Sequence, residues 1–182
     1  MRALLFIITL FFVTTDLVIG QISKKISPQD FYDFYNSMKS KDTLKTIQLS
    51  DAPSTGRLLK DTSTIFLDTI FSTIDKNFIR EQLFNFRDFS WTKGNLIHVK
   101  ILSHKKISRT LRDLVKGWKR FYLKFGDGFA TYSIPVFTVD RKYCIVNINW
   151  HCGGLCGSGG TNLYRKVSGK WVFVKFYSFW IS

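Results

Sequence analysis

Trp150-His151-Cys152-Gly153-Gly154-Leu155-Cys156-Gly157-Ser158-Gly159-Gly160 joins an alternating apolar run that ends at Trp150 to another that begins near Asn162. Two cysteines and five glycines fall within nine residues, so the backbone must turn tightly here and its own sulfurs are close enough to tie it. On both sides the period of the apolar residues is two. Phe129 to Val139, Tyr143 to Trp150, Asn162 to Val167 and Lys170 to Ile181 therefore read as four strands, with tight turns at Asp140-Arg141-Lys142 and Ser168-Gly169. Connections this short make sequential antiparallel pairing the simplest arrangement, a four-stranded meander whose middle connection is the cysteine loop.

Upstream the period changes. Ser27-Pro28-Gln29-Asp30 has the chemistry of a helix start, and Phe31, Phe34, Tyr35 and Met38 repeat on one face, giving a helix over 28–40. Leu44 to Leu49 is a short strand, followed by a breaker-rich loop over 50–56. The apolar residues between Asp61 and Phe86 keep a helical period, firmest over 75–86, where Glu81 is the chain's one glutamate. Residues 95–102 alternate as a half-buried strand. Ile107, Leu111, Leu114, Trp118, Phe121 and Phe125 hold helical register up to Gly126-Asp127-Gly128, which predicts one long helix over 107–125. Helices first and strands last define an α+β fold, a C-terminal antiparallel meander packed against N-terminal amphipathic helices.

The 182 residues, 45% hydrophobic and 22% charged, suffice for one core, hence a single domain over 21–182. Phenylalanine is abundant, with 18 copies, so ring packing should dominate the interior. Arg2, the apolar run Ala3 to Val13 and Val18-Ile19-Gly20 read as a secretory signal peptide over 1–20, with the mature chain beginning at Gln21. Thr14, Thr15 and Asp16 interrupt that run short of the roughly 20 residues a spanning helix needs. The net charge of +14 draws the chain to anionic partners, an envelope surface or an extracellular polymer, although scattered lysines also serve solubility alone.

Export makes a Cys152–Cys156 disulfide available, and closing so short a loop contributes about 2 kcal/mol through the unfolded state. A redox pair would prefer two intervening residues and a helix N-terminus, and a zinc site lacks its fourth ligand beside His151. Cys144 alternates with apolar neighbours and reads as a buried free thiol. Gly157, Gly159 and Gly160, with Arg165 nearby, could form an anion-binding nest of backbone N–H groups, against the plainer reading of a turn that needs glycine. Arg109, Arg112, Lys116, Lys119 and Arg120 would form the basic outer face of the long helix. No catalytic set, cofactor motif or metal-ligand spacing emerges: the three histidines are far apart, and the glycines fit neither the dinucleotide nor the phosphate-loop pattern.

Gly117-Trp118-Lys119-Arg120-Phe121-Tyr122, Tyr132-Ser133-Ile134-Pro135-Val136-Phe137, Cys152-Gly153-Gly154-Leu155-Cys156-Gly157, Gly169-Lys170-Trp171 and Trp180-Ile181-Ser182 occur in that order. Over roughly residues 75–182 this resembles a group of uncharacterised exported bacterial proteins, commonest in Bacteroidota. The resemblance implies export, a cysteine-tied hairpin loop and a terminal tryptophan strand; it carries no activity. The expectation is a secreted or periplasmic binding or interaction module. Two alternatives stand beside it: a hydrolase-type enzyme with a site assembled from distant His and Asp residues, and a binder of anionic polymer or envelope surface through the basic helix face.

Overall fold

The computed structural model describes residues 25–38, 46–113 and 115–182. The leader over 1–20 lies outside the described residues, as do the start of the 44–49 strand and Leu114. Among the described residues there are five helices and seven strands: α1 (Pro28–Met38), β1 (Ile47–Ser50), α2 (Thr55–Leu67), α3 (Thr73–Asn85), β2 (Val99–Leu102), α4 (His104–Thr110), α5 (Gly117–Phe125), β3 (Phe129–Tyr132), β4 (Val136–Phe137), β5 (Tyr143–Gly153), β6 (Cys156–Val167) and β7 (Lys170–Ile181). The fold is α+β. No helix among the described residues is long and apolar enough to cross a membrane.

The sheet is mixed and seven-stranded, ordered β2-β1-β3-β5-β6-β7, with β4 also on β5. It is larger than the expected four-stranded meander. β1 runs parallel to β2 and to β3, whereas β5 is antiparallel to β3, β4 and β6, and β7 is antiparallel to β6. The run expected over 129–139 is two strands because Pro135 has no N–H to give to a ladder. At the gap the Ser133 hydroxyl accepts from the Asn147 N–H at 2.8 Å, standing in for a missing carbonyl.

The long helix expected over 107–125 is broken. Asp113 Oδ1 accepts from the N–H groups of Val115 and Lys116, at 3.0 and 2.9 Å, a side-chain turn that competes with helix continuation. Gly117 then opens α5 so close to α4 that a Cβ there would sit 3.0 Å from Leu111 Cα. The apolar residues on either side, Ile107, Leu111, Trp118, Phe121 and Phe125, still meet, in a small core of their own with Leu102 and Phe129.

Aspartates fasten the helices to the strands. Asp30, in the first turn of α1, accepts from the Ser27 N–H and hydroxyl and from Arg141 at 2.7 Å, beside the turn before β5. Ser72 and Asp75 form a capping box at the start of α3, and Asp75 also accepts from the Val139 N–H at 3.0 Å. Gln82, 3% exposed on α3, accepts from the Phe137 N–H at 2.9 Å and donates to the Phe137 carbonyl at 2.8 Å, occupying the place of a missing strand beside β4.

Just past the end of α2, Asp68 meets the Lys175 ammonium at 2.6 Å and the Tyr177 hydroxyl at 2.5 Å. Burial by itself pushes the Asp68 carboxyl up; hydrogen bonds from Lys175, Tyr177 and the Ile70 N–H, with the charge of Lys175, outweigh it and hold the carboxyl below the usual range. A depressed carboxyl binds its proton more weakly in the folded state. Its contribution is therefore complete above the ordinary aspartate pKa of about 3.9 and is lost as pH falls through the lower folded value. Asp68→Asn is expected to cost about 1–2 kcal/mol at pH 7. In urea unfolding between pH 7 and pH 2.5, the gap between variant and parent should close only below about pH 4; a gap that is constant with pH would refute the assignment.

Candidate functional site

On β5 the side chains of Asn147, Asn149 and His151 alternate onto one face. Register sets Thr161, Gly159 and Gly157 of β6 opposite them, and Ser178 and Trp180 of β7 opposite Thr161 and Gly159. Helix α2 lies over this face and lowers Asp61 onto it, accepting from the Ser178 hydroxyl at 2.7 Å and from the Thr161 hydroxyl. Asn147 donates to Thr161 at 3.0 Å, Asn149 donates to Asn147 at 2.6 Å and to Thr131 at 3.1 Å, and the Trp180 indole N–H donates to Asn149 at 2.9 Å. Thr131 lies 3.4 Å from His151 Nε2. Asn147, Asn149 and Thr161 are buried. Each of these polar groups has a partner, which makes a stiff support of what would otherwise destabilise the interior.

The support holds one group up to solvent. The Trp180 ring lies against Gly157, its Cη2 and Cζ3 at 3.0 and 3.1 Å from the place a Cβ would occupy, so a side chain there would press on the indole. Over that ring stands the Arg57 guanidinium, 5.1 Å from the centroid, one turn before Asp61 on α2. Lys60 joins it at the rim of a cleft of about 430 Å³ lined by Arg57, Lys60, Asp61, Asn147, Ser178, Phe179 and Trp180. Neither Arg57 nor Lys60 has an ion-pair partner among the described residues. The first turn of α2 holds no acidic residue and Ser54 gives it no side-chain cap, so the positive end of the helix adds to the two cations.

His151 is stacked on Phe129 at 4.9 Å, and burial, with the charge of Arg57, lowers its pKa below the ordinary imidazole value. The ring is thus neutral at pH 7 and reports the positive field of the cleft. The other two histidines lie elsewhere. His98 sits in a left-handed turn before β2, with φ of 53°. His104 opens α4 on the edge of a cavity of about 810 Å³ beyond the carboxyl ends of β1 and β2. There its imidazole meets Ser108 at 3.2 Å, while the Asp51 carboxylate accepts from its backbone N–H at 2.7 Å.

Cys152 and Cys156 are disulfide-bonded, with Cα atoms 5.1 Å apart, and Cys144 is free and buried. The sulfurs close a hairpin rather than an open loop, since β5 extends to Gly153 and β6 begins at Cys156. That corrects the glycine nest. Gly157, Gly159 and Gly160 are extended residues inside β6, paired with β5 or β7, and their N–H groups serve the sheet instead of converging on an anion. Arg165 stands at the far end of β6, over the Tyr143 ring at 5.9 Å. The basic helix face is likewise divided. Arg109 is on α4, Arg112 and Lys116 fall in the break, and Lys119 and Arg120 are on α5, with Arg120 paired to Asp113 at 3.2 Å. No group of His, Cys, Asp and Glu among the described residues is placed to hold a metal ion.

Sequence reading alone does not single out Arg57 or Asp61, and it offers Trp180 only as part of the terminal strand. Two signals for them exist: Asn147, Asn149 and His151 recur at every second position of an apolar strand, and Arg57 and Asp61 share a helix face at a spacing of four. Comparison with protein-family models, curated proteins and solved structures gives no match for the chain.

Proposed function

We propose that the chain is exported to the periplasm or the extracellular space and acts there as a binding module that captures an anionic group, a carboxylate or sulfate of a polymer, at Arg57 and Lys60. The observation that carries this reading is the unpaired guanidinium held over Trp180, which is in turn pinned through Asn149. A guanidinium already fixed by stacking loses little freedom when an anion arrives, and its fork offers two parallel hydrogen bonds to a carboxylate or sulfate. Export rests on the Arg2 to Gly20 leader and agrees with the disulfide between Cys152 and Cys156. The hydrolase alternative has less support: the His104 ring meets the Ser108 hydroxyl and the His151 ring the Thr131 hydroxyl, neither of them a carboxylate.

The test is retention of the mature protein on a heparin column at low salt, with titration of an oligogalacturonate by calorimetry as the carboxylate arm. Arg57→Ala is expected to weaken binding about tenfold or more, since a hydrogen bond to a charged group contributes about 1.5–3 kcal/mol. Lys119→Ala removes the same charge from α5 and should change it little. Equal losses for the two variants would leave only general attraction to a +14 chain and end the proposal.

A further inference from the structure

β7 is the outer strand of the sheet, and its ladder with β6 is irregular twice, between Thr161 and Asn162 and between Leu163 and Tyr164. The extra residues lie on β7. In a regular strand Phe173 and Phe179 would share a face and Phe176 would point the other way. With the two bulges, Phe173 stands opposite Tyr164, Phe176 opposite Asn162, Phe179 opposite Gly160 and Ile181 opposite Ser158, so all four fall on one face. The rings form a continuous row, with centroids 4.7 Å apart for Phe173 and Phe176 and 5.3 Å for Phe176 and Phe179. These side chains are 44%, 52%, 57% and 72% exposed in chain order. At one end of the row lie Lys170 and Lys166, the latter opposite Trp171.

The geometry points to this row as the place where the protein docks on an anionic lipid surface, its rings entering the headgroup region and its lysines meeting the phosphates. Two quantities select that occupant over a second copy of the chain. The exposed part of the row amounts to roughly 400 Å², about half of what each partner of a stable dimer buries. A second copy also brings the same +14, which opposes its approach, whereas an anionic headgroup layer attracts it. A lipid interface needs no matching shape; it takes up each apolar group by area. The same bulges, with Lys175 in the strand, also blunt the edge against pairing with another strand. Ser178 and Trp180 of the Arg57 cleft lie on the opposite face of β7, and of the row only Phe179 also borders that cleft.

Co-sedimentation of the mature protein with phosphatidylcholine vesicles, with and without about 30% phosphatidylglycerol, tests this. The parent is expected to bind the anionic vesicles, and the double variant F176S/F179S to lose at least tenfold in partitioning with an unchanged circular-dichroism spectrum. Val172→Ser, opposite Arg165 on the other face, and Lys119→Ala on α5 should each stay within about threefold of the parent, and a loss for Arg57→Ala as large as that of the double variant would assign vesicle binding to the cleft and overturn the proposal. Equal binding by parent and double variant would reduce attachment to net charge and overturn the proposal. So would a parent that binds neither vesicle, or one that runs as a dimer which Phe176→Ser converts to a monomer.

Discussion

Phe34→Ala is expected to cost about 4 kcal/mol of stability and to lower the melting temperature by roughly 8–16 °C. Phe34 is 1% exposed and inserts from α1 among three rings contributed by β4, β6 and β7: Phe137 at 6.1 Å, Tyr164 at 5.7 Å and Trp171 at 5.3 Å, all edge to face or nearly so. Truncation removes the transfer energy of the ring. It also leaves a void bounded by large groups anchored in a sheet, which cannot collapse into it as a surface loop could. With a typical total of about 5–15 kcal/mol available, a loss of this size takes much of the margin. Phe84→Ala provides the contrast: that ring is 67% exposed on α3 and should change stability by less than about 0.5 kcal/mol. Calorimetric melting of the two variants side by side checks the claim. A melting temperature for Phe34→Ala within two or three degrees of the parent would mean that α1 does not pack on the C-terminal strands as described.

Why α1 was legible in the sequence, and other elements were not, follows from the range of the interactions that form them. Ser27-Pro28-Gln29-Asp30 carries its start within four residues, and the stripe Phe31, Phe34, Tyr35 carries its buried face. Period-two runs likewise gave strands close to β5, β6 and β7, because those pair through short turns; Ser168 and Gly169, with φ of 48° and 80°, form the two-residue turn that a tight hairpin requires. The parallel pairing of β1 with β2 and with β3 leaves no local mark. It joins Leu49 to Ile101 and to Ala130 across long stretches of chain, so the sheet read from the C-terminal half alone lacked two strands. Helix α2 was partly hidden because Ser54, Thr55 and Gly56 read as loop, while its helical face includes the polar Arg57 and Asp61 that serve the cleft.

The break between α4 and α5 shows the opposite failure. Ile107, Leu111, Trp118, Phe121 and Phe125 keep a helical period across it because both pieces bury them in one cluster, and only Asp113 and Gly117 betray the turn. Periodicity records which side chains are buried; it does not record whether the backbone between them is continuous. The bulges in β7 are invisible for the same reason. The sequence places Phe176 out of phase with Phe173 and Phe179, and only the register of the finished sheet gathers the three.

Gly159→Val should disrupt both the sheet and the cleft, at a cost of about 3 kcal/mol. A Cβ at Gly159 would lie 2.7 Å from the Ile148 carbonyl oxygen and 2.8 Å from Asn149 Cα, both backbone atoms of β5, and would strike the Asn149 side chain as well. Backbone in the middle of a paired strand cannot step aside, so β5 and β6 must spread where Asn149 reaches Trp180. That residue holds the indole, and the indole holds Arg57. Heparin retention should therefore drop to the level of Arg57→Ala, although Arg57 and Lys60 are both still present. Gly154→Val is the matched control, since nothing lies within 4 Å of the place its Cβ would take at the hairpin tip, and it should leave stability and retention near those of the parent. A Gly159→Val protein that melts with the parent would show that the strands are not so closely apposed. One that is destabilised but keeps full retention would show that the position of Arg57 does not depend on Asn149 and Trp180, and the cleft would then be two surface cations with no support beneath them.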